Sequence, residues 1–160
     1  MPPPTVKSRA MQSSIPFPET PERRAQLARQ VHAATGLDEP VLQQVVRAFY
    51  GTARHDPIIG HLFDGVEDWD AHIARIATFW SSVAIMSGRY HGNPMARHLK
   101  LPLEPRHFAR WLVLFETTVR QVCSEAGATL LLEKAGRIAQ SLQFGIDAKR
   151  GMLPSRQQTI

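Results

Sequence analysis

The chain has 160 residues, 43% of them hydrophobic, and a formal net charge of +5, which is apolar content enough for one domain with a sizeable core. Its single cysteine, Cys123, excludes an intramolecular disulfide and any multi-cysteine zinc or iron–sulfur site, and no run nears the ~18 apolar residues of a membrane span. The longest uninterrupted basic runs are the pairs Arg23-Arg24 and Lys149-Arg150, so the charge reads as a solvated surface, with no nucleic-acid partner.

Residues 1–19 hold five prolines and little apolar content beyond Val6, Ile15 and Phe17, the composition of a disordered or loosely attached arm. The opening Met1-Pro2-Pro3-Pro4 lacks the apolar core of a secretory signal, and cytoplasm is the expected location. A domain is expected over 20–150 and a polar tail over 151–160. Thr20-Pro21-Glu22 is a helix start, with an N-cap and a proline at the first helical position. That helix carries Leu27, Val31 and Ala34 and ends at Gly36. Asp38-Glu39-Pro40 opens a second helix with Leu42, Val45, Val46, Phe49 and Ala53 on one face and Tyr50 at its flank. His55-Asp56-Pro57 stops it, and Ile58 to Phe63 reads as a tight apolar corner of one short turn.

A third helix starts near Asp68, where His72, Ile76, Phe79, Trp80 and Val83 recur with a period of ~3.6 residues. It runs out at Ser87-Gly88, and Arg89 to Asn93 form a loop. Pro94 and Pro102 bracket a segment with room for about two helical turns, too short to be stable alone. Pro105 begins the next long helix, with Phe108, Trp111, Leu112, Phe115, Val119 and Val122 on one face, and Gly127 is expected to break it. Leu131, Ala135, Ile138, Leu142 and Ile146 mark a last helix that ends at Gly151. No strand-like alternation and no repeat is present, so the fold class is all-α.

Few residue patterns carry chemistry. There is no H-E-x-x-H, no Gly-rich phosphate loop and no carboxylate pair on an apolar face. Ser81 and Ser82 lie mid-helix without a nucleophile elbow, and Cys123 reads as a buried structural thiol. Of seven histidines, only His72 and His98 sit in apolar helical settings. A haem pocket needs one strong axial ligand, an apolar wall and polar donors on the other side. His98 can supply the imidazole, with Leu99 and Leu101 excluding water, while Tyr50 offers a phenol O–H, Trp111 an indole N–H and His72 a second imidazole. Without C-x-x-C-H, a haem would be held by coordination and packing, as haem b is. A cofactor-free helical binding or regulatory module remains the alternative. A metal site built from His72, His91 and His98 is weaker, because they lie on separate elements.

Phe49-Tyr50, Asp56-Pro57-x-x-Gly60-x-x-Phe63, and Asp68-Trp69-x-x-His72-x-x-x-Ile76-x-x-Phe79-Trp80 resemble the first half of a group III (P-type) truncated haemoglobin. Tyr90-His91-Gly92-x-Pro94, His98-Leu99-x-Leu101-Pro102 and His107-Phe108-x-x-Trp111-Leu112-x-Leu114-Phe115 resemble the second. The likeness spans roughly residues 21–148; the arm is a departure from the family pattern. It implies a shortened globin fold, a two-over-two helical sandwich around one haem. His98 matches the proximal iron ligand, and Tyr50, His72 and Trp111 match the distal residues. Phe63 and Phe79 match aromatic positions against the porphyrin, and Ile76 lies one turn beyond the distal histidine. Arg97, Lys100, Arg89 and His91 are candidates for the haem propionates. The implied ligands are O2, CO and NO. Redox chemistry of O2, NO or peroxide, fed by an unidentified reductase, fits several distal donors better than O2 transport, and peroxidase-like or NO dioxygenase activity is compatible with them.

Overall fold

The computed structural model describes residues 20–151; the arm expected at 1–19 and all but the first residue of the tail lie outside the described residues. Six α-helices and one 3-10 turn make up the described chain: α1 (Pro21–Thr35), α2 (Glu39–Ala53), the turn Gly60–Phe63, α3 (Trp69–Ile85), α4 (Pro94–His98), α5 (Pro105–Val122) and α6 (Glu125–Lys149). The most extensive packing joins α5 to α6 and α2 to α3, with α2 crossing α5. This is the two-over-two sandwich.

The helix ends are set by local chemistry. Thr20, Asp38, Asp68 and Asn93 each accept a backbone N–H from the residue three positions on, which satisfies one of the orphan donors of a helix N-terminus. Gly36 closes α1 in the left-handed region at φ 75°, where a side chain would be strained. The stripe expected on α1 is thin: Leu27 and Val31 are half-buried, Ala34 is exposed, and no residue of the helix is fully buried. α1 therefore leans on α3 and α6 rather than anchoring the core.

The expected break at Gly127 is not found. α5 already ends at Val122, Cys123 is extended, and Ser124 caps α6 by accepting the Gly127 N–H at 3.1 Å. Gly127 is glycine for space: a Cβ there would meet the Thr35 carbonyl oxygen at 2.9 Å, where the end of α1 crosses the start of α6. The Ser124 hydroxyl reinforces the crossing by donating to that same oxygen at 2.7 Å. The segment between Pro94 and Pro102 has less helix than it has room for, because α4 stops at His98 and a turn and a bend follow.

The apolar corner forms as expected, and Asp56 organises it. Its Oδ1 accepts the N–H groups of Ile58 (2.9 Å) and Ile59 (3.1 Å), and its carbonyl accepts that of Gly60 (2.8 Å). A Cβ on Gly60 would lie 2.9 Å from the Arg54 carbonyl. Its Oδ2 takes two bonds from Arg110 on α5, at 3.0 and 2.7 Å. The Arg110 guanidinium, helped by the two backbone N–H groups, holds this buried carboxyl below the usual carboxylate range against the opposing effect of desolvation. The corner is thus clamped to α5, and with it the position of Phe63.

The buried core divides into two clusters. The larger runs from Leu37 through α2, α3 and the middle of α5 to Leu131 and Ala135; the smaller holds Leu103, Phe108, Ala139, Leu142 and Ile146. Leu62, Trp111, Leu112 and Ile138 are half-buried and pack against both. That division is where the candidate site lies.

Candidate functional site

Phe63, Ile76 and Phe79 belong to the first cluster and Met95, Leu99 and Leu101 to the second, all of them only half-buried. Half-buried apolar side chains thus flank the seam between the clusters on both sides, one wall from each cluster. α4 presents His98 on the second. The His98 Nδ1 lies 2.6 Å from the Pro94 carbonyl oxygen, one turn back on its own helix. A carbonyl can only accept, so Nδ1 carries the proton and Nε2 keeps its lone pair for another partner. α4 is seated by Met95, whose thioether end occupies the place a Cβ on Gly145 of α6 would fill. The preceding loop is pinned as well. The Tyr90 N–H donates to Ser82 Oγ at 2.9 Å, the Tyr90 ring meets Phe79 edge-on at 5.2 Å, and its hydroxyl sits over Gly92 where no Cβ would fit.

On the first wall, Tyr50 is buried at 7% exposure within a cage of rings: Phe49 at 5.1 Å, Phe63 at 5.4 Å, Trp69 at 5.6 Å and His72 at 4.9 Å. A cavity of about 30 Å³ is bounded by Tyr50, Ile76 and Trp111 together with Val46, Phe49, Trp80 and Phe115, room for only one or two molecules of water size. Trp111 is stacked on Phe115 at 5.3 Å. Burial pushes the Tyr50 phenol far up, only partly offset by the Arg75 charge, so it stays an O–H donor. Burial, then the positive charges of Arg75 and Arg97, push the His72 imidazole down and keep it neutral. The His72 Nε2 is buried without a hydrogen-bond partner. The structure therefore brings Tyr50, Ile76 and Trp111 to one cavity, with His72 against the Tyr50 ring.

Against known proteins, the chain is 31% identical over 113 residues to the group 3 truncated haemoglobin ctb of Campylobacter jejuni, an alignment covering 67% of this chain and 89% of that protein. The chain belongs to the group III truncated haemoglobins. The crystal structure of a group III truncated haemoglobin from Campylobacter jejuni superposes with a TM-score of 0.63 at 30% identity, over 69% of this chain and 91% of that one. The haemoglobin of the phototroph Chloroflexus aurantiacus shares the fold, with a TM-score of 0.59 at 20% identity over 70% and 95% of the two chains. No family model matches.

Membership in the truncated haemoglobins implies a haem, and the residues present fit one. A flat group between the two walls would cover the half-buried apolar side chains, meet the free Nε2 of His98, and lie near the partnerless Nε2 of His72. Of the cations considered for the propionates, Arg89 is already paired with Glu39 at 3.0 Å, whereas Arg97 has its charge close enough to act on His72. Three contributors escape sequence reasoning. Arg110 fixes the corner from 54 residues away. His107, buried, accepts the Glu104 N–H at 3.0 Å and so starts the helix that carries Trp111. Arg75 stands one turn beyond His72 and acts electrostatically on both His72 and Tyr50. Helical spacing places Arg75 beside His72, and the three-residue step from Glu104 to His107 is that of a capping box; only Arg110 has no local signal. Trp69, over which Arg54 is stacked at 4.4 Å, closes the outer side of the His72–Tyr50 pair. No helix of the described residues is long and apolar enough to cross a membrane.

Proposed function

We propose that this truncated haemoglobin holds haem b non-covalently through His98 Nε2 and binds O2, CO and NO on the side of Tyr50, His72 and Trp111. The observation that carries the reading is the His98–Pro94 bond, which fixes the tautomer an iron ligand needs and leaves the lone pair of Nε2 without a hydrogen-bond partner among the described residues. Haem supplies an iron centre with an open axial position and redox capacity. The chain does the rest. Phe63, Ile76, Phe79, Leu99 and Leu101 exclude water from the slot. Tyr50, kept protonated by burial, donates its O–H to a bound ligand; Trp111 contributes an N–H from the other side of the cavity; neutral His72 accepts or donates a proton at Nε2. Arg97 pairs with a propionate.

Several donors around one small ligand favour retention over release. The activity that follows is redox chemistry of O2, NO or peroxide in the cytoplasm, with electrons from a reductase, rather than O2 carriage. Visible spectra of the purified protein, ferric, reduced and reduced with CO, test the reading alongside His98→Ala. A Soret band near one haem per chain that shifts with CO and is lost or altered in the variant is the expected result. Folded helical protein with no Soret band, even after added haemin, refutes it.

A further inference from the structure

We propose that Arg75 and His72 form an anion site on the α3 wall of the slot, taking a carboxylate or a small inorganic anion such as nitrite; this rests on the haem reading above. The Nε of Arg75 and the Nε2 of His72 are both buried and both lack a hydrogen-bond partner. They stand three residues apart on one helix, the spacing that puts two side chains on one face. Arg75 as a whole is half-buried, but its Nε is sealed from water, and a guanidinium keeps its charge at every relevant pH. A buried donor of that kind calls for an acceptor, preferably an anionic one.

The described residues supply none. Of the carboxylates on the same helix, Asp70 lies 3.9 Å from Arg47, and Asp68, just before it, accepts the Ala71 N–H as the cap. Among the described residues no carboxylate pairs with Arg75. The surroundings add positive charge, since Arg97 from α4 also acts on His72, and Arg54 lies over Trp69, whose ring is 5.6 Å from that of His72. Because His72 stays neutral beside these cations, its Nε2–H tautomer can share one acceptor with Arg75 without repelling it. The third buried orphan, His107 Nε2, lies by His61 at 5.7 Å between rings and takes no part.

The same chemistry has two sources, a carboxylate of the haem itself or an anion from solution, and the experiment separates them. Ferric holoprotein, as wild type, Arg75→Gln and Arg75→Lys, is titrated with sodium nitrite and with neutral imidazole in the visible region, and haem transfer to excess apomyoglobin is timed. Charge-assisted hydrogen bonds of this kind carry roughly a 10-fold effect or more. Nitrite weakened by that factor in Arg75→Gln, with imidazole binding unchanged and Arg75→Lys restoring part of the loss, assigns an anion from solution. Haem transfer accelerated by that factor, with nitrite unchanged, assigns the haem carboxylate. If Arg75→Gln keeps its Soret band and changes neither quantity, the anion site is overturned while the haem reading stands. Equal losses of nitrite and imidazole mark a merely structural arginine and also overturn it. A wild type without a Soret band overturns the haem reading, and the anion site with it.

Discussion

Asp56 offers a decisive test of how the corner before α3 is held. Replacing it with alanine removes two charge-assisted bonds to Arg110 and leaves the N–H groups of Ile58 and Ile59 without their acceptor. Breaking a buried ion pair costs about 3–5 kcal/mol when the remaining charge is sealed in. Arg110 is 34% exposed while Asp56 is 3%, so water rescues part of the orphaned guanidinium, and about 2–4 kcal/mol is expected for Asp56→Ala. Asp56→Asn keeps the Oδ1 acceptor and loses the charge; about 1–3 kcal/mol is expected. Folding lowers this carboxyl's pKa, so the charge contribution is complete above the unfolded value of about 3.9 and is lost as pH falls through the folded one. Urea unfolding followed by circular dichroism at pH 7, 5 and 3.5 gives all three quantities. The reasoning is refuted if alanine and asparagine cost the same, or if wild type and Asp56→Asn do not converge as the medium is acidified.

Tyr50→Phe should speed O2 dissociation roughly 10- to 150-fold, the range of one charge-assisted donor, while CO dissociation changes far less; stopped-flow ligand replacement reads both, and Trp111→Phe should act in the same direction more weakly. Equal effects on the two gases would exclude a hydrogen-bonding role for the phenol. Gly127→Ala gains up to ~1 kcal/mol of helix propensity but drives a methyl against the Thr35 carbonyl, and a net loss of about 1–3 kcal/mol in urea melts is expected. A neutral or stabilising result would mean that the α1–α6 crossing yields easily.

The parts legible in the sequence are those governed by neighbours within a turn or two. The proline starts of α2, α4 and α5, the stop at Pro57 and the stripe from His72 to Val83 all follow from local rules, and each lies where those rules place it. Gly127 shows their limit. Glycine weakens a helix and so reads as a break, but here it makes room for a carbonyl from Thr35, ninety-odd positions away in the chain, and no local pattern records that. Arg110 and Asp56 fail to announce each other for the same reason. α1 shows the converse: apolar spacing is present, yet the helix lies at the margin and buries little. At the candidate site, the ring types and their order are visible in advance through the family likeness, whereas the unpaired state of Arg75 depends on where every carboxylate ends up, which only the folded chain decides.

The brevity of α4 has a consequence for how the site can be tuned. His98 takes its rotational setting from the Pro94 carbonyl inside a five-residue helix, so the plane of the ring is decided within one turn of chain. How firmly the helix that carries that ring is seated is decided elsewhere, by the packing of Met95 on Gly145 of α6. Bearing and seating are therefore two separate adjustments. A larger residue at 145 would displace the flexible thioether end of Met95 and loosen the seat of α4 while leaving the bond from His98 to the Pro94 carbonyl in place; a change at 94 would act on the ring's bearing and leave the Met95 seat alone. Substitutions at two distant points of the sequence can then alter one property of the proximal side without disturbing the other.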